Sequence, residues 1–170
     1  GSQGGIVNRV SKVPEAGRRS SIEAQGGSND MRSLYADLSA DATETISLRL
    51  TMGNQDANSF RDGVSSHRQL FAPAISWQIT PQLSWLGQYE YSRFDRTPDR
   101  GIPGLNGRPA DVKRETTYGD DRDYIDDKAQ SLRSKLTYEL NDNWQLRQTL
   151  SVFKLDSDFD NTYLTGVTAA

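Results

Sequence analysis

The chain contains no cysteine and no hydrophobic run long enough to form a transmembrane helix. Without cysteine it has neither a disulfide framework nor a thiolate metal site. A helix that spans a bilayer needs about 20 consecutive apolar residues, and no segment approaches that length. The N-terminus also lacks the basic segment and apolar run of a signal peptide. If the chain is exported, we therefore expect its export signal to lie outside this sequence.

Apolar residues are scarce as well. Hydrophobic residues make up 34% of the 170 residues, and the mean hydropathy is −0.74. A soluble domain of this length would normally have a larger apolar share. Disorder is disfavoured because the chain has 3 Trp, 7 Tyr and 5 Phe, and disordered segments are poor in aromatics. A membrane β-barrel fits this composition, because only alternate residues of each strand need to be apolar.

The chain shows no pattern typical of an enzyme or of a nucleic-acid-binding protein. Its net charge is −3 and its pI about 5.2, so nothing indicates a nucleic-acid partner. His67 is the only histidine, and it cannot form a metal cluster alone. The acidic run Asp120–Asp127 lacks the spacing of an EF-hand and is predicted to be a solvated loop. We predict no catalytic residue, no metal site and no cofactor.

Apolar and polar residues alternate in seven blocks that are separated by turn signals. This alternation predicts seven β-strands, and beyond Leu155 it predicts a polar loop. The predicted strands are Ser20–Gly27, Arg32–Asp41, Thr45–Met52, Leu70–Ile79, Leu83–Tyr91, Leu132–Leu140 and Trp144–Phe153.

The second and third blocks predict a hairpin centred on Thr43. With that centre, Leu38 lies opposite Leu48 and Asp37 opposite Arg49, so apolar meets apolar and acid meets base. The agreement supports the assignment of faces, because a one-residue slip would bring opposite faces together.

A second hairpin is predicted around Pro81, with Trp77 opposite Trp85. These two residues and Trp144 lie within a few positions of a short turn, on the apolar face. Tryptophan favours the membrane interface, and a membrane barrel carries aromatic girdles there.

The predicted connections alternate in length. Ala42–Glu44, Thr80–Gln82 and Asn141–Asn143 are short, whereas Gly53–His67 and Ser92–Lys128 are long. A soluble β-sandwich or meander would explain the alternation equally well. The length asymmetry favours a barrel, since porin-like barrels have short periplasmic turns and long external loops.

Several motifs occur in the order found in one receptor family. The segment Gly4–Pro14, with its Gly-Gly pair, Val-Asn and Ser-Lys-Val-Pro exit, resembles the end of the plug domain of TonB-dependent siderophore receptors. Phe71–Trp77 resembles a barrel strand of that family with an Ala-Pro step and a following Trp. Asp99–Gly104 resembles its long-loop segment, and Tyr118–Asp123 its acidic stretch before the next strand. The ferrichrome and hydroxamate branch looks closest.

The resemblance implies an all-β fold in which residues 1–17 end a plug and residues 18–170 begin an antiparallel transmembrane barrel. Such a barrel has about 22 strands, so we expect the chain to lack most of the plug and about two-thirds of the barrel. It implies a receptor of the Gram-negative outer membrane that transports ferric siderophores. Its implied partners are the siderophore, TonB through an N-terminal segment absent here, and the membrane with its lipopolysaccharide. A soluble secreted β-rich binding module and another barrel, a porin or adhesin, are the alternatives.

Candidate binding residues follow from the same resemblance. Ile102 and Leu105 occupy a loop position where the family has aromatic ligand contacts, and nearby aromatics would have to substitute for them. The predicted ligand-binding residues are Tyr91, Phe94, Arg100, Ile102, Leu105 and Tyr118. The predicted lumen-facing residues are Asp37, Arg49, Arg133, Lys135, Glu139 and Arg147.

Overall fold

The structure is a computed structural model that describes residues 4–5, 10–105 and 107–163. Seven strands form one antiparallel sheet in the order β1-β2-β3-β4-β5-β8-β9, and β6 and β7 form a small separate hairpin. The strands are β1 (Ser21–Gly26), β2 (Arg32–Asp41), β3 (Ile46–Asn58), β4 (Ser65–Thr80), β5 (Leu83–Arg96), β6 (Gly104–Leu105), β7 (Arg108–Pro109), β8 (Tyr124–Asn141) and β9 (Trp144–Asp160). The predicted all-β antiparallel fold is confirmed. None of the described residues belongs to a helix long and apolar enough to cross a membrane.

The large sheet is a meander whose connections differ in length at its two ends. At one end, turns over residues 42–45, 81–82 and 142–143 join the strands. At the other end the connections are longer: residues 27–31, residues 59–64, and a long segment described over residues 97–105 and 107–123, which contains the β6–β7 hairpin. The predicted asymmetry of connections is therefore confirmed, although the predicted loop limits are not.

Most strands run further toward the long-loop end than the sequence predicts. β3 continues to Asn58, β4 begins at Ser65, β5 ends at Arg96 and β8 begins at Tyr124. β9 continues to Asp160, so the loop predicted beyond Leu155 is wrong, as are the full lengths of the two predicted long loops.

The extensions escape prediction because charged and polar residues occur on both of their faces. His67 pairs with Asp95, and Asp126 pairs with both Asp95 and Asp158 in the backbone ladder. The backbone hydrogen bonds continue there, but no alternation of hydrophobicity marks them.

The β2–β3 register differs from the predicted one by two residues. Leu38 lies opposite Leu50 and Asp37 opposite Thr51, because five residues rather than three lie between Asp41 and its partner, Ser47. Arg49 faces Ser39 directly and reaches Asp37 diagonally. A shift of two keeps every side chain on its predicted face, since the side-chain period of a strand is two. The predicted pair of Trp77 with Trp85 is confirmed.

Cross-strand pairing connects the apolar residues of successive strands into one apolar face. Ala40 pairs with Leu48, Leu48 with Ile75, and Ile75 with Gly87. We call the opposite side of the sheet the polar face. The apolar face contains Leu34, Ala36, Leu38, Ala40, Ile46, Leu48, Leu50, Met52, Phe71, Pro73, Ile75, Trp77, Leu83, Trp85, Gly87, Tyr89, Tyr91, Leu132, Leu136, Tyr138, Leu146, Leu150 and Val152.

This apolar face is not covered by a second layer of the described chain. Among the described residues no hydrophobic side chain is buried, and Trp144 and Leu146 are 71% and 61% exposed. A soluble module would have to bury such a face within itself. The exposed face therefore favours contact with lipid over the soluble alternative.

Close packing on the apolar face requires a glycine at position 87. A Cβ atom there would lie 2.7 Å from Cη2 of Trp85, whose ring covers the backbone of Gly87. The indole Nε1 of Trp85 donates a hydrogen bond to Oγ of Ser134 at 2.8 Å. The glycine thus lets the tryptophan lie flat along the sheet with its polar atom paired.

Candidate functional site

A short N-terminal segment lies against the polar face of the sheet. We call Val10–Pro14 the exit segment. The carbonyl oxygen of Lys12 accepts a hydrogen bond from Nε2 of Gln88 at 3.2 Å, and that of Val13 accepts one from Nη1 of Arg49 at 2.8 Å. Pro14 is buried. The segment is therefore tied to both β3 and β5.

The strongest ties come from three charged residues, Lys12, Asp37 and Arg49, which we call the exit cluster. Arg49 donates to both carboxylate oxygens of Asp37, from Nε at 2.7 Å and from Nη2 at 2.6 Å. Nζ of Lys12 lies 2.7 Å from the same carboxylate. Arg49 is only 4% exposed. A bidentate, charge-assisted pair of this kind fixes both distance and orientation.

Local sequence explains how Arg49 becomes so well buried. Across the ladder it faces Ser39 on β2 and Ala74 on β4, both small residues. The guanidinium can therefore lie along the polar face beneath the exit segment. Hydrogen bonds to Asp37 and to the carbonyl oxygen of Val13 satisfy a charge that would be costly to bury unpaired.

After the exit segment the chain remains attached to the end of β2. The backbone N–H of Gly17 donates to Oδ2 of Asp41 at 3.0 Å. The hydroxyl of Ser20 donates to the carbonyl oxygen of Ser39 and accepts from its N–H. These contacts lead the chain into β1, which pairs with β2 along its whole length.

A second group of charged residues lies on the polar face at the long-loop end. We call Arg68, Phe94, Arg96 and Asp127 the mouth cluster. The guanidinium carbons of Arg68 and Arg96 lie 4.2 and 4.4 Å from the centre of the Phe94 ring. Arg96 also pairs with Asp127 at 2.7 Å, and Asp127 accepts a hydrogen bond from the hydroxyl of Ser157.

The two long loops are joined to each other beyond this end of the sheet. Arg61 forms an ion pair with Asp99 at 2.8 Å and donates from Nη1 to the carbonyl oxygen of Thr116 at 3.0 Å. The N–H of Asp62 donates to the carbonyl oxygen of Glu115 at 2.8 Å. The loops therefore form one connected layer above the strand ends.

The acidic stretch before β8 is an ordered turn. Asp120 accepts hydrogen bonds from the side chain and backbone of Arg122, which lower its pKa to about 2. Burial raises the pKa of Asp123, but hydrogen bonds from the backbone and hydroxyl of Thr162 and from the N–H of Asp120 outweigh burial, and the pKa is lowered. These carboxylates tie the turn together and to the end of β9.

The structure does not bring the six predicted ligand-binding residues together. Tyr91 lies on the apolar face and Phe94 on the polar face of β5. Arg100 lies over the ring of Tyr163, with its guanidinium carbon 4.4 Å from the ring centre. The remaining three, all half-buried, lie in the loop between β5 and β8: Ile102, Leu105 and Tyr118.

Sequence reasoning did not predict Arg68 as a site residue, and it interpreted Arg96 as an ordinary loop charge. Arg96 lies two residues after Phe94, which places both on one face of a strand. Arg68 lies opposite Phe94 in the β4–β5 pairing. The spacing of Phe94 and Arg96 could have indicated half of the cluster, but both residues were assigned to the loop Ser92–Lys128.

The six residues predicted to face the lumen all lie on the polar face. Asp37 and Arg49 belong to the exit cluster, and Arg133 lies opposite Gln88 in the row that contains Ala74. Lys135, Glu139 and Arg147 lie toward the short-turn end. The structure shows that all six residues share one face. That this face lines a lumen stays a prediction.

The described residues contain no group of His, Cys, Asp or Glu side chains that could hold a metal ion. Of the motif Gly4–Pro14, residues 6–9 lie outside the described residues.

No protein-family model matches the chain. Sequence comparison finds the metal-pseudopaline receptor CntO of Pseudomonas aeruginosa, 33% identical over 150 residues that make up 86% of this chain and 21% of that protein. The probable TonB-dependent siderophore receptor PiuA of Acinetobacter baumannii is 29% identical over 94% of this chain and 23% of its own length. The catecholate siderophore receptor Fiu of Escherichia coli is 27% identical over 95% of this chain.

Comparison with solved structures also finds siderophore receptors. The crystal structure of PiuA matches with a TM-score of 0.80 and 26% identity, over 88% of this chain and 23% of that one. The ferripyoverdine receptor of the Pseudomonas aeruginosa outer membrane matches with a TM-score of 0.85 over 94% of this chain. At 17% identity that second match shows the fold alone.

A meander with one continuous apolar face, one charged face and long loops at a single end has the architecture of a membrane β-barrel wall. Together with these relatives it shows that the chain belongs to the family of TonB-dependent siderophore receptors. The family and the outer-membrane location predicted from sequence are confirmed, and the relatives are receptors rather than enzymes. The hydroxamate branch is not confirmed. The chain spans about a fifth of the length of the curated relatives it matches.

Proposed function

We propose that the chain is part of an outer-membrane receptor that binds a ferric siderophore outside the cell and transports it inward with energy relayed by TonB. The observation that carries this proposal is the pairing of an exposed apolar face with a polar face crossed by the exit segment. A sheet of this kind can meet lipid on one side and a plug on the other. The named relatives support the same function.

Each part of the described structure has a role in this proposal. Residues 1–17 would be the end of the plug and residues 18–170 the start of the barrel. The apolar face would contact the outer membrane with its lipopolysaccharide. The exit cluster would hold the chain where it passes from plug to barrel, so that movement of the plug leaves this point in place. TonB would act on a plug segment that precedes the exit segment.

The proposal is tested by iron uptake in cells. The full-length receptor is expressed in a Gram-negative host that lacks its own siderophore receptors, and radioactive iron is supplied as a panel of siderophore complexes. We expect uptake of at least one complex that requires both the receptor and TonB. Absence of binding and uptake for catecholate, hydroxamate and mixed complexes alike would contradict the proposal.

Two neighbouring residues of β4 provide a matched control for the membrane placement. Ile75 lies on the apolar face and Ser76 on the polar face. Arginine on the lipid face near the bilayer midplane costs about 2–4 kcal/mol. We therefore expect Ile75→Arg to reduce the amount of assembled receptor in the outer membrane, whereas Ser76→Arg should assemble. Equal assembly of the two variants would contradict the assignment of faces.

A further inference from the structure

We infer that the mouth cluster is a binding site for an anionic, aromatic metal chelate, and that it selects against uncharged chelates. This inference rests on the proposed function and names the ligand chemistry of that receptor. Its basis is a phenyl ring with two guanidinium groups over it, on the face that carries the exit segment.

The first argument is charge. Arg68 and Arg96 bring two positive charges to the Phe94 ring, and Asp127 neutralises one of them through its ion pair with Arg96. Within the described ranges, no carboxylate lies within ion-pair distance of Arg68. Arg68 is exposed. The cluster therefore has an excess positive charge and a set of unused guanidinium donors that point to an anion.

The second argument is shape. A guanidinium group is planar, stacks on aromatic rings and donates hydrogen bonds in its own plane. With both groups stacked on Phe94, their donors are held in position instead of moving freely. Phe159 continues the same face on β9, where it pairs with Ile125 and is 61% exposed. Ile125 in turn lies opposite Arg96. Aromatic and apolar surface beside fixed cations suits a ligand with aromatic rings and negative charge.

The third argument is position. Phe94 lies six residues along β5 from Gln88, which contacts the exit segment. At about 3.3 Å per residue this is about 20 Å toward the long loops. The pairs Leu70–Ser92 and Gln69–Arg93 lie between the Phe71–Tyr91 pair of the apolar face and Phe94. The mouth cluster is thus on the inner side of the wall, beyond its apolar band, where a ligand from outside would arrive first.

The test compares two iron(III) chelates on the purified full-length receptor. One is a hexadentate tris-catecholate, which is trianionic and aromatic, and the other is a hexadentate tris-hydroxamate, which is uncharged. We expect Arg68→Gln to weaken binding of the tris-catecholate about tenfold, because it removes charge-assisted hydrogen bonds. Binding of the tris-hydroxamate should change less than about twofold. Arg68→Lys, which keeps the charge, should retain part of the preference.

Arg93→Gln is the matched control. Arg93 lies on the same strand as Phe94 but on the opposite face, where it pairs with Asp126, so its loss should leave both affinities unchanged. The thermal stability of each variant is measured and should equal that of the unaltered receptor. If Arg68→Gln weakens both chelates equally or neither, or if Arg93→Gln has the same effect, the inference is overturned while the proposed function stands. If the unaltered receptor binds no ferric complex, the proposed function fails as well.

Discussion

The polar face of the sheet carries two groups of charged side chains that differ in how completely they are paired. In the exit cluster, Asp37 receives both Arg49 and Lys12, and Arg49 is almost fully buried beneath Val13. In the mouth cluster, the single carboxylate of Asp127 pairs with Arg96 only, and Arg68 is exposed and stacks on Phe94. The two groups lie about 20 Å apart along the strands.

This difference separates two uses of arginine on one surface. A buried guanidinium whose hydrogen bonds are satisfied holds neighbouring segments in one geometry, and losing its partner is costly. An exposed guanidinium stacked on an aromatic ring costs little to keep and retains donors for another molecule. We therefore expect substitutions in the exit cluster to affect stability, and substitutions in the mouth cluster to affect binding.

The largest effect on stability is expected for Asp37→Asn. This change leaves Arg49 buried without a counter-charge and removes the partner of Lys12. Breaking a buried pair by removing one partner costs about 3–5 kcal/mol. The Asp37 side chain is 13% exposed, and the carbonyl oxygen of Val13 still accepts a hydrogen bond from Arg49. We therefore expect the free energy of unfolding to fall by about 3 kcal/mol, the lower end of that range. Urea unfolding of the full-length receptor in lipid vesicles measures the loss.

Two variants control this prediction. Lys12→Met removes the 54%-exposed partner and should cost no more than about 1 kcal/mol. Adding Arg49→Met to Asp37→Asn removes the uncompensated charge and should recover part of the stability. If Asp37→Asn lowered the stability no more than Lys12→Met, the buried pair of Asp37 with Arg49 would not be the main stabilising contact of the exit cluster.

The faces of the sheet could be predicted from sequence because alternation depends on local residues alone. Trp77, Trp85 and Leu48 all lie on the predicted face, and the Trp77–Trp85 pair is as predicted. The β2–β3 register was wrong by two residues, since the pairing of Asp37 with Arg49 favoured a three-residue turn. The diagonal contact of Asp37 with Arg49 satisfies the same charges in a register with five residues between the last paired residues, Asp41 and Ser47. Charge complementarity in the sequence could not distinguish the two registers.

The mouth cluster could not be predicted because its members come from segments without alternation. Arg68 and Arg96 belong to strand extensions in which polar residues occur on both faces; Arg96 was assigned to the loop Ser92–Lys128, and Arg68 lay outside the predicted strand Leu70–Ile79. Phe94 was predicted as a ligand contact from its place near a loop, without its neighbours. Pairing of β4 with β5 over residues 66–71 and 91–96 brings them together, and that pairing depends on backbone hydrogen bonds rather than on side-chain pattern.

A smaller stability effect is expected for Asp127→Asn in the mouth cluster. The Arg96–Asp127 pair is about 30% exposed on both sides, and exposed pairs contribute about 0.2–1 kcal/mol. The variant should nevertheless bind the trianionic tris-catecholate more tightly, because it frees the charge of Arg96. Calorimetric titration and urea unfolding of the same preparations measure both quantities. Unchanged or weaker binding would indicate that the partial neutralisation by Asp127 does not limit ligand attraction.

The smallest effect concerns Asp123, which ties the acidic turn to Thr162 at the long-loop end. Its pKa is lowered from 3.8, so its ionised form stabilises the turn at every pH above that value. The contribution is lost as the pH falls below 3.8 through the pKa of the folded state. Hydrogen exchange should therefore show local loss of protection around residues 120–123 at low pH, while the exit segment keeps its protection. In Asp123→Asn the turn should be less protected already at neutral pH, and its protection should change with pH only near the pKa of Asp120, about 2. Equal loss of protection at the exit segment would contradict the view that the long-loop end opens independently of the exit cluster.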